Sequence, residues 1–139
     1  MCSVLLVEDN PTFRKSLKEM LALRFPGLEI GEACDGEEAL QELWNINPDI
    51  IFMDIKLPGR NGLEVTRIIK EARSEVEVII FTSYDIPEYR DAAFQSGASY
   101  FFTKGNAGSD EIADIVRSSF RQRGKDPSPN PDCTDPQIM

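Results

Sequence analysis

Two hydrophobic rhythms alternate along this chain. Short unbroken apolar runs at residues 3–7 (SVLLV), 49–53 (DIIFM), 76–81 and 99–102 (SYFF) have the composition of buried strands, and 28–34 is a weaker fifth. Between them the apolar positions recur at helical spacing. Phe13, Leu17, Leu21 and Phe25 form one stripe; Ala39, Leu40, Leu43 and Trp44 form a second. Val65, Ile68, Ile69 and Ala72 give a third, and Ile112, Ile115, Val116, Ser119 and Phe120 a last one. A short helix over 87–96 completes five strand–helix units.

Local signals place the helix ends. Asn10-Pro11 reads as an N-cap followed by proline in the first helical position. Asp35 and Glu38 have capping-box spacing, and Ser109 is expected to cap the last helix. Pro26-Gly27, Asn47-Pro48 and Gly97 act as stops. Strands joined through helices run parallel with right-handed crossovers. The pattern predicts an open α/β sheet with helices on both faces, on a chain too short for an eightfold barrel. Trp44 is expected to be partly buried and Cys34 buried. Residues 1–123 form the predicted domain. Residues 124–139 hold four prolines and no periodic pattern, so a disordered tail or the start of a linker is expected there.

Composition narrows the chemistry. The 139 residues include no histidine. Ser-His-Asp and Cys-His nucleophiles, His-ligated zinc and a histidine phosphate carrier are therefore excluded. The three cysteines form no CxxC, so no zinc site is indicated. A formal charge of −9 argues against nucleic-acid binding by this domain itself. No apolar run is long enough to span a bilayer, and the expected setting is soluble, reducing and cytoplasmic.

In open parallel sheets ligands bind beyond the carboxyl ends of the strands. Those ends carry Glu8-Asp9, Asp54, Thr82-Ser83 and Thr103-Lys104. Taken singly, each has an ordinary reading as a helix cap, a turn hydroxyl or a solvated charge. Together, carboxylates at about 4 Å repel by a few kcal/mol per pair at an effective dielectric near 20. Either one is protonated or a cation sits among them. Oxygen ligands favour a hard ion, Mg²⁺ with Ca²⁺ or Mn²⁺ as candidates. Lys104 and Thr82 suit a phosphoryl group, and an aspartate can itself be the nucleophile that takes it. No GxxxxGK[ST] or GxGxxG is present, so a nucleotide is not the expected donor.

The stretches VLLVEDN (4–10), PDIIFMDIKLPGRNG (48–62), VIIFTSYD (78–85) and GASYFFTKG (97–105) resemble the receiver domains of two-component response regulators. The resemblance covers residues 3 to about 122. It implies a flavodoxin-like (βα)5 fold with strand order 2-1-3-4-5. It implies that Asp54 accepts a phosphoryl group from a partner's phosphohistidine, on a sensor histidine kinase or a histidine phosphotransfer protein. Glu8, Asp9, Asp54 and the Lys56 backbone carbonyl would hold Mg²⁺, Lys104 would pair with the phosphoryl group, and Thr82 and Phe101 would form the switch. The resemblance implies a bacterial signalling phosphoacceptor rather than an enzyme, with transcription control as an expected output. Gly105 stands where many members have proline after a cis bond, so a trans bond is expected, and glycine there faintly favours the branch with LuxR-type output. The basic run Arg117, Arg121, Arg123, Lys125 suits the C-terminus of the last helix; a linker or homodimer contact is the other reading. Competing functions are a degenerate receiver used as a protein-binding module and a small Mg²⁺-dependent phosphatase. Lysine two residues after Asp54, where such phosphatases carry a second aspartate, disfavours the latter.

Overall fold

Strands β1 (Ser3–Val7), β2 (Glu29–Ala33), β3 (Ile50–Met53), β4 (Glu77–Thr82) and β5 (Tyr100–Thr103) pair in parallel in the order β2-β1-β3-β4-β5. The computed structural model describes residues 2–125. Helices α1 (Pro11–Arg24), α2 (Gly36–Ile46), α3 (Gly62–Ala72), α4 (Pro87–Gln95) and α5 (Ser109–Gln122) follow the strands in turn. Because side chains alternate across a strand, β1 feeds two cores. Val4 and Leu6 pack with Leu17, Leu21, Val116 and Phe120 from α1 and α5. Leu5 and Val7 pack with Leu43, Val65 and Ile69 from α2 and α3. This is the doubly covered flavodoxin-like sheet that the sequence predicts. No helix among the described residues is long and apolar enough to cross a membrane.

The caps are mostly where the sequence puts them. The Asn10 side chain accepts from the Thr12 and Phe13 N–H groups. Asp35 accepts from the Glu38 N–H, while the Glu38 carboxylate reaches back to the Cys34 N–H. Gly97, at φ +110°, follows the end of α4. The start of α5 differs from expectation. Its N-cap is Gly108, and Ser109 is already helical, with its hydroxyl accepting from Arg24. Three side chains also depart. Trp44 is 60% exposed and carries the Arg73 guanidinium 4.5 Å above its ring. Cys34 is exposed. On α3, Ala72 is exposed rather than turned inward, and the buried face includes Thr66, its hydroxyl donating to the Gly62 carbonyl at 2.8 Å.

The chain leaves α5 through a tight reversal. The Gly124 N–H donates to Arg121 and the Lys125 N–H to Phe120, with Gly124 at φ +74°. These are the two bonds of a Schellman ending. It brings Arg123 and Lys125 onto Asp49, just before β3, at 3.3 and 2.8 Å. Asp49 is buried and also accepts the Ser3 N–H at 3.0 Å. Asp49→Ala orphans that N–H and takes the carboxylate away from both cations, leaving Arg123 its bond to the Glu75 carbonyl. The expected cost is about 2–3 kcal/mol, read by urea unfolding, with faster tryptic cleavage after Arg123; unchanged cleavage would refute the clasp. The proline-rich tail expected over 124–139 lies, beyond Lys125, outside the described residues.

Candidate functional site

The strand order reverses between β1 and β3, and the ends of these two strands carry the acidic residues. The last ladder pair is Val7 with Met53. One residue on, the Asp54 N–H donates to the Val7 carbonyl at 3.1 Å, and the Glu8 N–H to Ala33 at 3.0 Å. The sheet's hydrogen bonds therefore continue under both acids and fix their backbones. Their side chains are buried above an apolar floor of Phe13, Phe52 and Phe81. Asp9, next along, is exposed. One carboxylate oxygen from each of Glu8, Asp9 and Asp54 lies within 4.8 Å of the others.

Lys104 enters from the far side. Its N–H donates to the Thr82 carbonyl at 2.8 Å, extending the β4–β5 ladder by one residue. From the end of β5 its side chain must cross β4 to reach β3 and β1. Adjacent strands lie about 4.8 Å apart, so only a long side chain spans that gap, and the small Thr82 stands at the β4 end. The ammonium pairs with Glu8 and lies 3.1 Å from Asp54 Oδ2, with the Phe13 ring 4.5 Å away. Asp54 Oδ1 accepts the Ile55 N–H at 2.8 Å.

Burial pushes the Glu8 carboxyl above its ordinary value, against the pull of the Lys104 hydrogen bond. Burial alone would lower the Lys104 pKa; the Glu8 hydrogen bond and the nearby carboxylate charges override it and hold the ammonium above the ordinary lysine value. Counted formally, one ammonium stands among three carboxyl groups, an acidic excess of two. An all-oxygen donor set with that excess fits a hard divalent cation such as Mg²⁺.

The other predicted positions lie at the end of β4, on β5 and just after β3. The Thr82 hydroxyl is fully buried and accepts the Tyr84 N–H at 3.2 Å, so it faces the β4–α4 turn. Phe101 is buried, and the Arg90 guanidinium lies 4.6 Å above its ring. The Lys56 side chain is exposed, its ammonium 5.4 Å from the Tyr84 ring centre and 5.5 Å from that of Tyr89. Every described peptide bond is trans, that before Gly105 included.

Sequence reasoning missed two supports. A Cβ on Gly62 would stand 1.9 Å from the Asp54 carbonyl oxygen, and the Gly62 N–H donates to Ile55 at 2.8 Å. The loop after Asp54 thus folds back directly against it. The glycine in the LPGxxG stretch was the available signal. The second is Arg14, which donates to the Glu8 carbonyl from α1.

Residues 4–117 match the family model of the response regulator receiver domain. The chain belongs to the response regulator receiver family. It is 34% identical over 121 residues to "Response regulator GacA" of Pseudomonas aeruginosa, covering 86% of this chain and 56% of that protein. It is 32% identical over 126 residues to "Transcriptional regulatory protein LiaR" of Bacillus subtilis, covering 90% and 59%. This receiver thus spans less than two thirds of the length of these curated relatives. Among solved structures, a LuxR-family two-component response regulator from an Aurantimonas species matches with TM-score 0.76 and 32% identity, over 85% of this chain and 84% of that one. A CheY-like receiver domain protein from Methanospirillum hungatei shares the fold, with TM-score 0.81 at 22% identity, over 89% and 97%.

Proposed function

We propose that this receiver takes a phosphoryl group from a partner's phosphohistidine onto Asp54, with Mg²⁺ held by Glu8, Asp9 and Asp54 and by the backbone carbonyl of Lys56. The observation that supports it most is the convergence of three carboxylates, one bridged to another by Lys104, at the sheet's reversal point. An Asp54 oxygen attacks phosphorus in line. The bond between phosphorus and the donor imidazole breaks, and its electron pair returns to the ring nitrogen. Bound Mg²⁺ would neutralise both the carboxylates and the phosphoryl oxygens, so that charge repulsion does not oppose approach. Lys104 is already beside Asp54 Oδ2, where the transferred group would carry its charge. The absence of histidine in this chain is consistent with a donor histidine on the partner.

After transfer, the Thr82 hydroxyl leaves the Tyr84 N–H for a phosphoryl oxygen, and Phe101 turns into the space beside it. The covalent group thereby biases a two-state equilibrium. Phe101 has no hydroxyl, so this switch works through packing. The partner is a sensor histidine kinase or histidine phosphotransfer protein, met in the cytoplasm where such donors are charged from ATP. Transcription control is the proposed output of the whole protein, by analogy with the transcriptional regulatory protein LiaR.

The test is intact-protein mass after incubation with a small-molecule phosphodonor. The expected result is one added phosphoryl group that requires both Mg²⁺ and Asp54, and is lost in Asp54→Asn. An adduct that persists in Asp54→Asn overturns the assignment. No adduct together with no beryllofluoride binding favours a receiver used only as a protein-binding module.

A further inference from the structure

The turn that carries Glu8 and Asp9 is tied down at two points. The Asn10 N–H donates to Glu8 Oε2 at 3.0 Å, and Arg14 Nη1 donates to the Glu8 carbonyl at 2.6 Å. Asp9 lies between these points with its side chain in solvent, so its position is set by the backbone on either side. Arg14 is itself held. Its N–H closes the first helical bond of α1 on the Asn10 carbonyl, and its Nε pairs with Glu32 Oε1 at 3.0 Å. Glu32, on β2, takes Lys18 on its other oxygen at 2.9 Å. The planar guanidinium thus spends one edge on β2 and the other on the carbonyl at the end of β1, a division that a single ammonium cannot reproduce.

We infer that Arg14, braced by Glu32, is a positioning residue for the acidic cluster, holding the Glu8-Asp9 turn where its carboxylates can converge with Asp54 on a divalent cation. This rests on the Mg²⁺ reading above. Two features separate it from a simple helix-to-strand tie. Lys18 also holds Glu32, so α1 remains tied to β2 when Arg14 is replaced. The electrostatic sign is also opposite. Removing a positive charge near a cation site would, by Coulomb's law alone, tighten Mg²⁺ binding; loss of positioning weakens it.

The experiment is Mg²⁺ titration by calorimetry, with amide hydrogen exchange at Asp9 and Asn10, on the wild-type chain and the variants Arg14→Gln, Arg14→Lys and Lys18→Gln. Arg14→Gln should weaken Mg²⁺ about tenfold, the usual scale for losing a partner that orients a metal ligand, and should speed exchange in the turn. Arg14→Lys, which keeps the charge and tests the fork even if the glutamine variant fails to fold, should also weaken binding. Lys18→Gln should change neither reading. Unchanged or tighter Mg²⁺ binding in both Arg14 variants overturns the inference. If the wild-type chain binds no Mg²⁺, the metal reading falls separately; the exchange rates then decide whether Arg14 holds the turn, and no acceleration overturns that too.

Discussion

Lys104→Ala is expected to destabilise the metal-free protein by about 3 kcal/mol at neutral pH, the scale seen when one partner of a buried ion pair is removed. Lys104, Glu8 and Asp54 side chains are only 15%, 6% and 8% exposed, so water cannot take over the role of the lost ammonium. Two adjacent buried carboxylates would remain. Glu8 already titrates above its ordinary value of 4.5, because burial outweighs the Lys104 hydrogen bond. A group whose pKa rises on folding contributes its stability at low pH and loses it as pH climbs through the raised value. Without Lys104 the Glu8 value rises further, so the deficit should widen from pH 5 to pH 7.5. Saturating Mg²⁺ should restore much of it, since a cation bound only by the folded state stabilises that state. Urea melts at the two pH values, with and without Mg²⁺, measure this. A deficit equal at both pH values and indifferent to Mg²⁺ would show that Lys104 contributes packing alone.

Gly62→Ala should be nearly as costly. The added methyl meets backbone, the Asp54 carbonyl oxygen at 1.9 Å and the Ile55 Cα at 3.0 Å, and backbone cannot rotate away as a flexible side chain can. Overpacking of this kind costs ~1–3 kcal/mol and occasionally more. The upper end is expected here, a fall in Tm of about 10 °C for a domain of this size. Relief requires the loop from Asp54 to Gly62 to move outward, which breaks the Gly62–Ile55 hydrogen bond and shifts the Asp54 backbone. The variant should therefore also take phosphoryl from a small-molecule donor more slowly while folded, measured by the mass assay below its Tm. A Tm within a degree or two of wild type would mean that the close approach is not maintained in solution. By contrast, Gly59 has open space around its Cβ position, and only its φ of +79° restricts it.

The contrast between what could and could not be read in advance follows from the range of the interactions. Asn10-Pro11 and Asp35 with Glu38 act over three or four residues, and both form as their spacing predicts. That Glu8, Asp9, Asp54 and Lys104 meet was legible because parallel strands deliver their ends to one edge, whatever the details of packing. Thr66 was missed since its polarity is hidden locally: the Gly62 carbonyl takes its hydroxyl, which makes burial cheap. At the start of α5, an extended Gly108 occupies the cap position, and Ser109 has the residue type of a cap without its place. Arg14 and Gly62 escaped because their partners are set by tertiary approach. Nothing in the local pattern indicates that a helix arginine will find the Glu8 carbonyl, and Gly62 in the LPGxxG stretch marks a tight position without naming Asp54 as what it touches.

The outward position of Trp44 bears on how binding at the acidic cluster can be watched. It is the chain's one tryptophan. It lies eight residues along α2 from Gly36, about 12 Å down the helix, and is mostly solvated beneath the Arg73 guanidinium. Its emission in the folded protein should already resemble that of a water-exposed indole. Cation binding or acylation at the far edge of the sheet should then leave the indole spectrum unchanged. Unfolding, too, should produce only a small change in signal at that wavelength. Circular dichroism or calorimetry should follow both processes, and a flat indole trace during a Mg²⁺ titration would carry no information about whether the site had filled.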